Sequence, residues 1–368
     1  MKIPDLKLFI DKKHCLPAVG TWRKSVHVFD RRTAEAIRAA LASGRPLLVR
    51  GEPGTGKSQL ARAAAKVLGR KFLSHVVDGH TEIQDLWYRF DAVSRLGNAQ
   101  VLSITGEGKD IDKELDPQKY LSPGILWWAF DWATASGHEC SHPQFVPDEN
   151  DPGKAENGVV LLLDEIDKAD ADLPNSLLET LDNGKFTVPW IKKTVGVAGG
   201  DGSTFPLVVI TTNEDRQLPG AFVRRCLVLE LGVPKNKKKL IGYLKQRAAY
   251  HFPEQHDKGC DQAIEWDEHG NTACRSRFHD DVLNEAAEQL YKDRLKADSL
   301  GVTPPGQAEY LDMLQVLDQL APDDTKKQRE LLETIREFAL KKYPGMQKKE
   351  DPDQSDTEAD SDENGTGG

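Results

Sequence analysis

The chain has 368 residues, of which 29% are charged and 38% hydrophobic, a balance typical of a globular protein with two or three domains. No apolar run reaches the length of a membrane span, and the first residues lack the basic-then-apolar layout of a signal peptide. The five cysteines form no C-x-x-C pair, which predicts reduced thiols and a cytoplasmic location.

The net charge of −10 is concentrated at one end of the chain. Residues 350–368 contain eight acidic residues and no Lys or Arg, so the rest of the chain is close to neutral. We therefore predict a disordered acidic tail over 347–368. A nearly neutral body also lacks the basic surface of a dedicated nucleic-acid binder.

The N-terminal part is weakly patterned until a helix predicted over 33–42, which ends before Gly44. An apolar run over 45–50 then predicts a buried strand, and the Ala- and Leu-rich stretch 59–68 predicts a helix that stops at Gly69. Between them lies a glycine-rich stretch with a strand before it and a helix after it.

That stretch has the pattern G-x-x-x-x-G-K-S of a phosphate-binding loop, or P-loop. Its glycines let successive backbone N–H groups turn inward and cradle phosphate oxygens. The lysine adds a positive charge at the β- and γ-phosphates, and the serine can bind Mg²⁺. The predicted nucleotide-binding residues are Gly51, Glu52, Pro53, Gly54, Thr55, Gly56, Lys57, Ser58 and Gln59.

The segment 79–157 is too long for a simple connection and should contain structure of its own. Residues 92–103 suggest a hairpin that turns at 97–98, and residues 125–133 suggest a helix capped by Ser122 with Pro123 at its start. Four aromatic residues cluster in that helix, where they could form core, a subunit interface or a partner surface. They are Trp127, Trp128, Phe130 and Trp132.

A continuously apolar strand over 159–163 ends in Asp164 and Glu165. Asp164 at the end of this strand can hold the Mg²⁺ that bridges the phosphates, and Glu165 is placed to orient or deprotonate the attacking water. A helix over 173–181, a hairpin over 186–197, and strands over 205–213 and 226–231 follow. Strands that alternate with helices predict a parallel α/β sheet.

After residue 232 the pattern changes to helices, predicted over 235–250, 280–300, 307–320 and 325–342. These helices predict a second, all-α domain of ordinary size.

Three segments together resemble an AAA+ ATPase: 51–58 resembles its Walker A motif, 161–167 its Walker B motif, and 208–213 its sensor-1 strand. Residues 218–231 and 121–126 resemble the MoxR-type branch of that superfamily. The resemblance covers residues 28–345 and implies four parts. They are an N-terminal extension (1–27), an α/β nucleotide-binding domain (28–232, with the insert 79–157), a helical lid (233–346) and the acidic tail.

The resemblance also implies roles for further residues. Asn213 would position the nucleophilic water as sensor 1. Arg225, with Arg224 as second choice, would be the arginine finger that reaches the nucleotide of a neighbouring subunit. An ordinary solvated pair remains the alternative for these two arginines. No Arg stands at the sensor-2 position, so Gln307 makes a weaker contact, another subunit supplies the charge, or the lid does not sense the γ-phosphate.

The implied function is hydrolysis of ATP, with Mg²⁺, by a homo-oligomeric ring, most often a hexamer. Hydrolysis would remodel or mature a protein partner, which in relatives often carries a von Willebrand factor A domain. The P-loop itself does not exclude GTP. Two other interpretations stay open: a nucleotide-switched scaffold in a signalling or phage-defence system, and a nucleic-acid-stimulated motor.

Overall fold

The computed structural model describes residues 3–10, 12–105, 110–196, 205–254 and 275–340. The predicted disordered tail over 347–368 lies outside these ranges.

The described residues form eleven strands, in chain order as follows. They are β1 (His14–Leu16), β2 (Ser25–His27), β3 (Leu47–Arg50), β4 (Arg70–Val76), β5 (Tyr88–Phe90), β6 (Leu121–Pro123), β7 (Lys154–Asp164), β8 (Lys185–Val188), β9 (Lys193–Gly196), β10 (Leu207–Thr212) and β11 (Leu227–Glu230).

They also form thirteen α-helices. These are α1 (Arg31–Ser43), α2 (Lys57–Leu68), α3 (Ile83–Trp87), α4 (Ala92–Thr105), α5 (Ile111–Glu114), α6 (Ile125–Phe130), α7 (Trp132–Ser136), α8 (Asp172–Asn183), α9 (Gly220–Arg225), α10 (Lys237–His251), α11 (Asp280–Leu300), α12 (Gln307–Leu320) and α13 (Thr325–Ala339).

Five parallel strands form the central sheet, in the order β11-β3-β10-β7-β4. The strand before the P-loop, β3, therefore lies between β11 and β10, and β7 lies on the other side of β10. Because the strands are parallel, the P-loop, the end of β7 and the end of β10 meet at one edge of the sheet. The predicted parallel α/β sheet is confirmed.

Both faces of this sheet are covered, as the continuously apolar strands require. On one face Leu47 and Val49 pack with Leu60 of α2 and with α1. On the other face Leu48 packs with residues of the 79–157 insert, including Trp127, which is 1% exposed. Trp127 is thus part of the main core, which was one of the three predicted roles for the aromatic cluster.

The N-terminal segment is an antiparallel hairpin, β1–β2, that lies along α2. Arg62 of α2 donates to the carbonyl oxygen of Arg23 at 2.8 Å, and Lys66 donates to that of Cys15 at 2.7 Å. Reduced thiols are confirmed for Cys140 and Cys226. The same prediction is wrong for Cys15, which is disulfide-bonded.

The hairpin predicted over 92–103 is wrong, because these residues form the helix α4. Asp91 begins it: its carboxylate accepts from the backbone N–H of Ser94 at 2.8 Å and from the Ser94 hydroxyl at 2.6 Å. This N-cap and the helix formers after it outweigh the Gly97-Asn98 pair, which the sequence analysis interpreted as a turn.

The start of the next helix was also predicted wrongly. Ser122 and Pro123 do not begin a helix but pair with Arg89 and Tyr88 in the short β5–β6 ladder. Gly124 is the N-cap of α6, and the predicted continuous helix breaks at Asp131, which ends α6 and caps α7.

Aromatic stacking joins the insert to the hairpin β8–β9, whose formation confirms the predicted hairpin. The rings of Phe90 and Trp190 stack at 3.8 Å between centroids, and those of Trp87 and Phe186 at 5.7 Å. The Trp87 indole N–H also donates to the hydroxyl of Thr180 on α8, at 2.9 Å.

The C-terminal helices α10–α13 surround a separate core that includes Leu244, Leu290 and Leu314. The bounds of α11 and α12 coincide with those predicted. Among the residues that the structure describes, no helix is both long and apolar enough to cross a bilayer.

Candidate functional site

The P-loop joins the end of β3 to the start of α2 by a turn whose first residue has to be glycine. Gly51 has φ of 141°, and a side chain there would collide with the carbonyl oxygen of Leu231. Gly56 is the N-cap of α2, and no side chain accepts a hydrogen bond from the helix's first N–H groups there. Unsatisfied N–H groups at the start of a helix are donors suited to an anion.

Lys57 points into the loop and is only 7% exposed. Its ammonium donates to the carbonyl oxygens of Gly51 at 2.7 Å and Glu52 at 3.0 Å, and to Oδ1 of Asn213 at 2.7 Å. Burial lowers the pKa of Lys57, while the nearby carboxylates, Asp164 foremost, act in the opposite direction. The structure therefore brings the predicted Walker A lysine and the predicted sensor-1 residue into direct contact.

Ser58 and Asp164 meet where α2 begins and β7 ends. The Ser58 hydroxyl lies 2.9 Å from each carboxylate oxygen of Asp164. The hydroxyl of Thr211 donates to Asp164 Oδ1 as well. Thr211 is completely buried in β10, and its role was missed by the sequence analysis.

Glu165 adopts the left-handed conformation, with φ of 59°. A non-glycine residue in this region is uncommon and is held there only when its surroundings fix it. Here the fixing contact is the Glu165 N–H, which donates to the Thr211 hydroxyl at 2.9 Å. The turn directs the Glu165 carboxylate toward the Asn213 amide, with 3.4 Å between Oε1 and Nδ2.

Asp167 is a second residue whose role the sequence analysis missed, although it stands in the Walker B stretch. It is 2% exposed and accepts from the backbone N–H of Asn213 at 3.4 Å and of Asp215 at 3.0 Å. These bonds hold the chain that leaves β10 against the end of β7. Asp167 thereby fixes the position of Asn213.

Apart from Asp167, which lies behind them, these side chains line one cavity of about 740 Å³. Its other walls come from the N-terminal hairpin, including Trp22 and His27, and from the lid, including Arg247, His251 and Gln307. A volume of this size is within the usual range of small-molecule sites.

The cavity lining also includes two residues with a buried polar atom that lacks a hydrogen-bond partner, His27 at Nε2 and Arg247 at Nε. Burial, followed by the charge of Arg247, lowers the pKa of His27 to about 3. Burial and Arg247 likewise lower the pKa of His251 to about 4. Both imidazoles are therefore neutral near pH 7, next to one guanidinium.

The donor set at Ser58 and Asp164 was tested against the predicted Mg²⁺. A hydroxyl and a carboxylate are oxygen donors of the kind that Mg²⁺ takes beside phosphate oxygens and water. They fit the ion, although the described residues contain no group of three or more His, Cys, Asp or Glu arranged to hold a metal without help from a ligand.

Comparison with known families agrees with this geometry. The family model described as AAA domain (dynein-related subfamily) matches residues 46–226. This segment is similar to an AAA domain. The match begins just before β3 and ends just before β11, so it includes the P-loop, the end of β7 and the end of β10.

Among solved structures, the chain is similar to a proposed ATPase from Cytophaga hutchinsonii, with 13% identity over 82% of this chain and 78% of that one, TM-score 0.34. It is also similar to PCH-2 from C. elegans, with 17% identity over 84% of this chain and 69% of that one, TM-score 0.36. A point mutant of RuvB from Thermotoga maritima is similar too, with 17% identity over 84% of this chain and 75% of that one, TM-score 0.34. No curated protein matches the chain in sequence.

Arg224 and Arg225 lie at the end of α9 and do not line the cavity that holds Lys57 and Asp164. Arg225 Nε pairs with Asp182 of α8 at 2.8 Å. Arg45 donates to the backbone carbonyl oxygens of both arginines, at 2.9 Å for Arg225. The structure therefore fixes the backbone of this pair and leaves both side chains outside their own nucleotide cavity.

Gln307, at the start of α12, lines the cavity, which is the placement that one of the three sequence-based alternatives requires. Its side-chain oxygen accepts from the Tyr243 hydroxyl. Helix α11 also reaches the P-loop, a contact that no sequence pattern predicted. Arg294, 9% exposed, is bound to the carboxylate of Glu52.

Proposed function

We propose that this protein hydrolyses ATP to ADP and phosphate. The observation that carries the proposal is that five side chains from separate parts of the sequence converge in one cavity of nucleotide size. They are Lys57, Ser58, Asp164, Glu165 and Asn213. An anion-binding loop, a carboxylate pair at a strand end and a polar sensor are the parts that phosphoryl transfer to water requires.

In the proposed reaction the N–H groups of the P-loop and the Lys57 ammonium bind the β- and γ-phosphates. The Glu165 carboxylate accepts a proton as water oxygen attacks the γ-phosphorus, and the bond from that phosphorus to the β–γ bridging oxygen breaks. Asn213, held beside Glu165 and Lys57, orients the water. When bound, Mg²⁺ would be held by Ser58 and Asp164 and would offset charge on the phosphate oxygens.

We further propose that the protein acts as a cytoplasmic homo-oligomeric ring of the MoxR type, most often a hexamer. Arg225 lies outside its own cavity, so an arginine finger at this position would serve the next subunit. Hydrolysis would then remodel or mature a protein partner, for which a von Willebrand factor A domain protein is the first candidate.

A nucleotide-switched scaffold is the second candidate function. Gln307 rather than an arginine faces the cavity at the start of α12, which favours slow turnover. In that case ATP binding would drive assembly, and hydrolysis would serve only to reset it.

The test compares the wild-type chain with Glu165→Gln. We expect the variant to retain ATP affinity and to lose hydrolysis about 100-fold or more, because the general base is gone. Mass in solution, measured with and without Mg·ATP, should show a ring that the variant stabilises. A wild-type chain that does not bind ATP would contradict the proposal, and binding with assembly but negligible wild-type turnover would support the scaffold.

A further inference from the structure

One contact between the lid and the P-loop joins charged groups that are far apart in sequence. Arg294 of α11 holds Glu52 through both guanidinium arms, with 3.1 Å from Nη2 to Oε1 and 3.0 Å from Nη1 to Oε2. The Arg294 side chain is only 10% exposed, and its Nη1 also donates to the Pro305 carbonyl oxygen at 2.8 Å. One hydrogen bond, a second close ionic contact and the low exposure of the arginine make this pair stronger than a fully exposed surface salt bridge.

Backbone contacts lie beside this ion pair. Gly54 has φ of 73°, and a side chain there would come within 2.8 Å of the Ala308 Cβ at the start of α12. An added side chain at Gly306 would meet the carbonyl oxygen of Pro53 at 3.3 Å. Three consecutive P-loop residues, 52–54, are therefore in contact with the lid, although Pro53 and Gly54 remain exposed on their other side.

Glu52 is also linked directly to the phosphate-binding groups. Its backbone carbonyl oxygen accepts from the Lys57 ammonium at 3.0 Å and from the Thr55 hydroxyl at 2.8 Å. A shift of the Glu52 backbone would therefore change the position of the Lys57 ammonium. The ion pair with Arg294 couples that shift to the position of the lid.

We propose that Arg294 is a positioning residue and that the Arg294–Glu52 pair is a latch that keeps the lid closed over bound nucleotide. The latch slows the release of nucleotide, and it holds the P-loop in its phosphate-binding shape. This inference rests on the proposed function for its ligand. In this proposal Arg294 contacts the protein's own P-loop and does not contact phosphate.

The test uses an ATP analogue with a fluorescent group on the ribose, with Mg²⁺, in stopped flow. We expect Arg294→Gln and Glu52→Gln each to raise the dissociation rate about tenfold, with little change in the association rate. The double variant should dissociate no faster than the faster single variant, because both changes remove the same interaction. Arg294→Lys should restore part of the slow release, since it keeps the charge but cannot contact Glu52 and the Pro305 carbonyl oxygen with two separate nitrogens.

Arg329→Gln is the matched control. Arg329 of α13 makes a two-armed pair with Glu285 of α11, inside the lid and away from the cavity. Its loss should leave nucleotide release unchanged. If Arg294→Gln does not fold, Glu52→Gln and Arg294→Lys decide the question, because the Glu52 side chain is 37% exposed and the lysine keeps the charge.

Release rates equal to wild type in both Glu52→Gln and Arg294→Gln would overturn the latch, as would effects that multiply in the double variant. Amide hydrogen exchange of residues 51–58 without nucleotide separates this outcome from failure of the proposed function. A latch predicts faster exchange in the Arg294 and Glu52 variants even if the wild-type chain binds no ATP. Unchanged exchange in folded variants contradicts it.

Discussion

Removing the Thr211 hydroxyl should weaken both the fold and the reaction. Thr211→Val keeps the shape of a fully buried side chain on β10. It deletes the hydrogen bond to the Asp164 carboxylate and leaves the Glu165 N–H without its acceptor. A bond to a charged group contributes about 1.5–3 kcal/mol and an unsatisfied buried N–H costs about 1–3 kcal/mol. Both contacts are only partly buried and share one hydroxyl, so the two effects do not add in full, and we expect a loss of about 2–4 kcal/mol.

For a domain of this size the loss corresponds to a fall in Tm of roughly 5–10 °C, measured by calorimetry. Turnover should fall about tenfold or more, because the strained Glu165 turn loses the contact that holds it and the carboxylate is displaced. Nucleotide affinity should change much less, since Lys57 and the P-loop are untouched.

Thr180→Val is the matched control. Thr180 is 1% exposed, lies outside the cavity and accepts one hydrogen bond, from the Trp87 indole. We expect it to lose about 1–2 kcal/mol of stability with no change in turnover per folded molecule. A Thr211→Val protein that is as stable and as active as this control would refute the account of how Glu165 is held.

Two further predictions concern the shared site and acid stability. Arg225→Ala and Glu165→Gln should each be inactive alone. An equal mixture should recover about a quarter of the wild-type rate, because about a quarter of the sites in mixed rings pair an intact Arg225 with an intact Glu165 from the neighbouring subunit. No recovery would exclude an arginine finger that acts on the neighbouring subunit. His27, with a pKa of about 3 when folded, takes up a proton more readily when unfolded, so its contribution to stability is lost as pH falls below about 6.5. Between pH 7 and pH 4.5, the free energy of unfolding measured with urea should fall about 2 kcal/mol less in His27→Gln than in wild type. An equal fall in the two proteins would contradict this.

The sequence was sufficient for the parts of the site that depend on local pattern. The P-loop, the Asp164-Glu165 pair and Asn213 each follow or precede a strand that can be recognised by itself. Parallel pairing then brings their ends to one edge without further information. For the same reason the predicted bounds of α11 and α12 were right, since capping glycines and helical periodicity are local signals.

The parts that were missed depend on contacts between distant segments. Thr211 and Asp167 are ordinary residues of a strand and a turn until β7 and β10 are placed side by side. The Arg294–Glu52 pair spans 242 positions, and no local pattern indicates it. The error at Ala92–Ser103 was different, because Asp91 is a local capping signal in the sequence that the interpretation of Gly97-Asn98 as a turn left out.

The stacked rings between the insert and β8–β9 have a consequence for how the molecule unfolds. Trp87 of the insert stacks on Phe186 and donates a hydrogen bond to Thr180, and Phe90 of the insert stacks on Trp190. Since Trp127 of the insert also lies in the core that the sheet strands complete, the described residues of the insert share the hydrophobic core of the sheet. The insert and the sheet therefore form one cooperative unit, and heat or denaturant should melt them in a single transition.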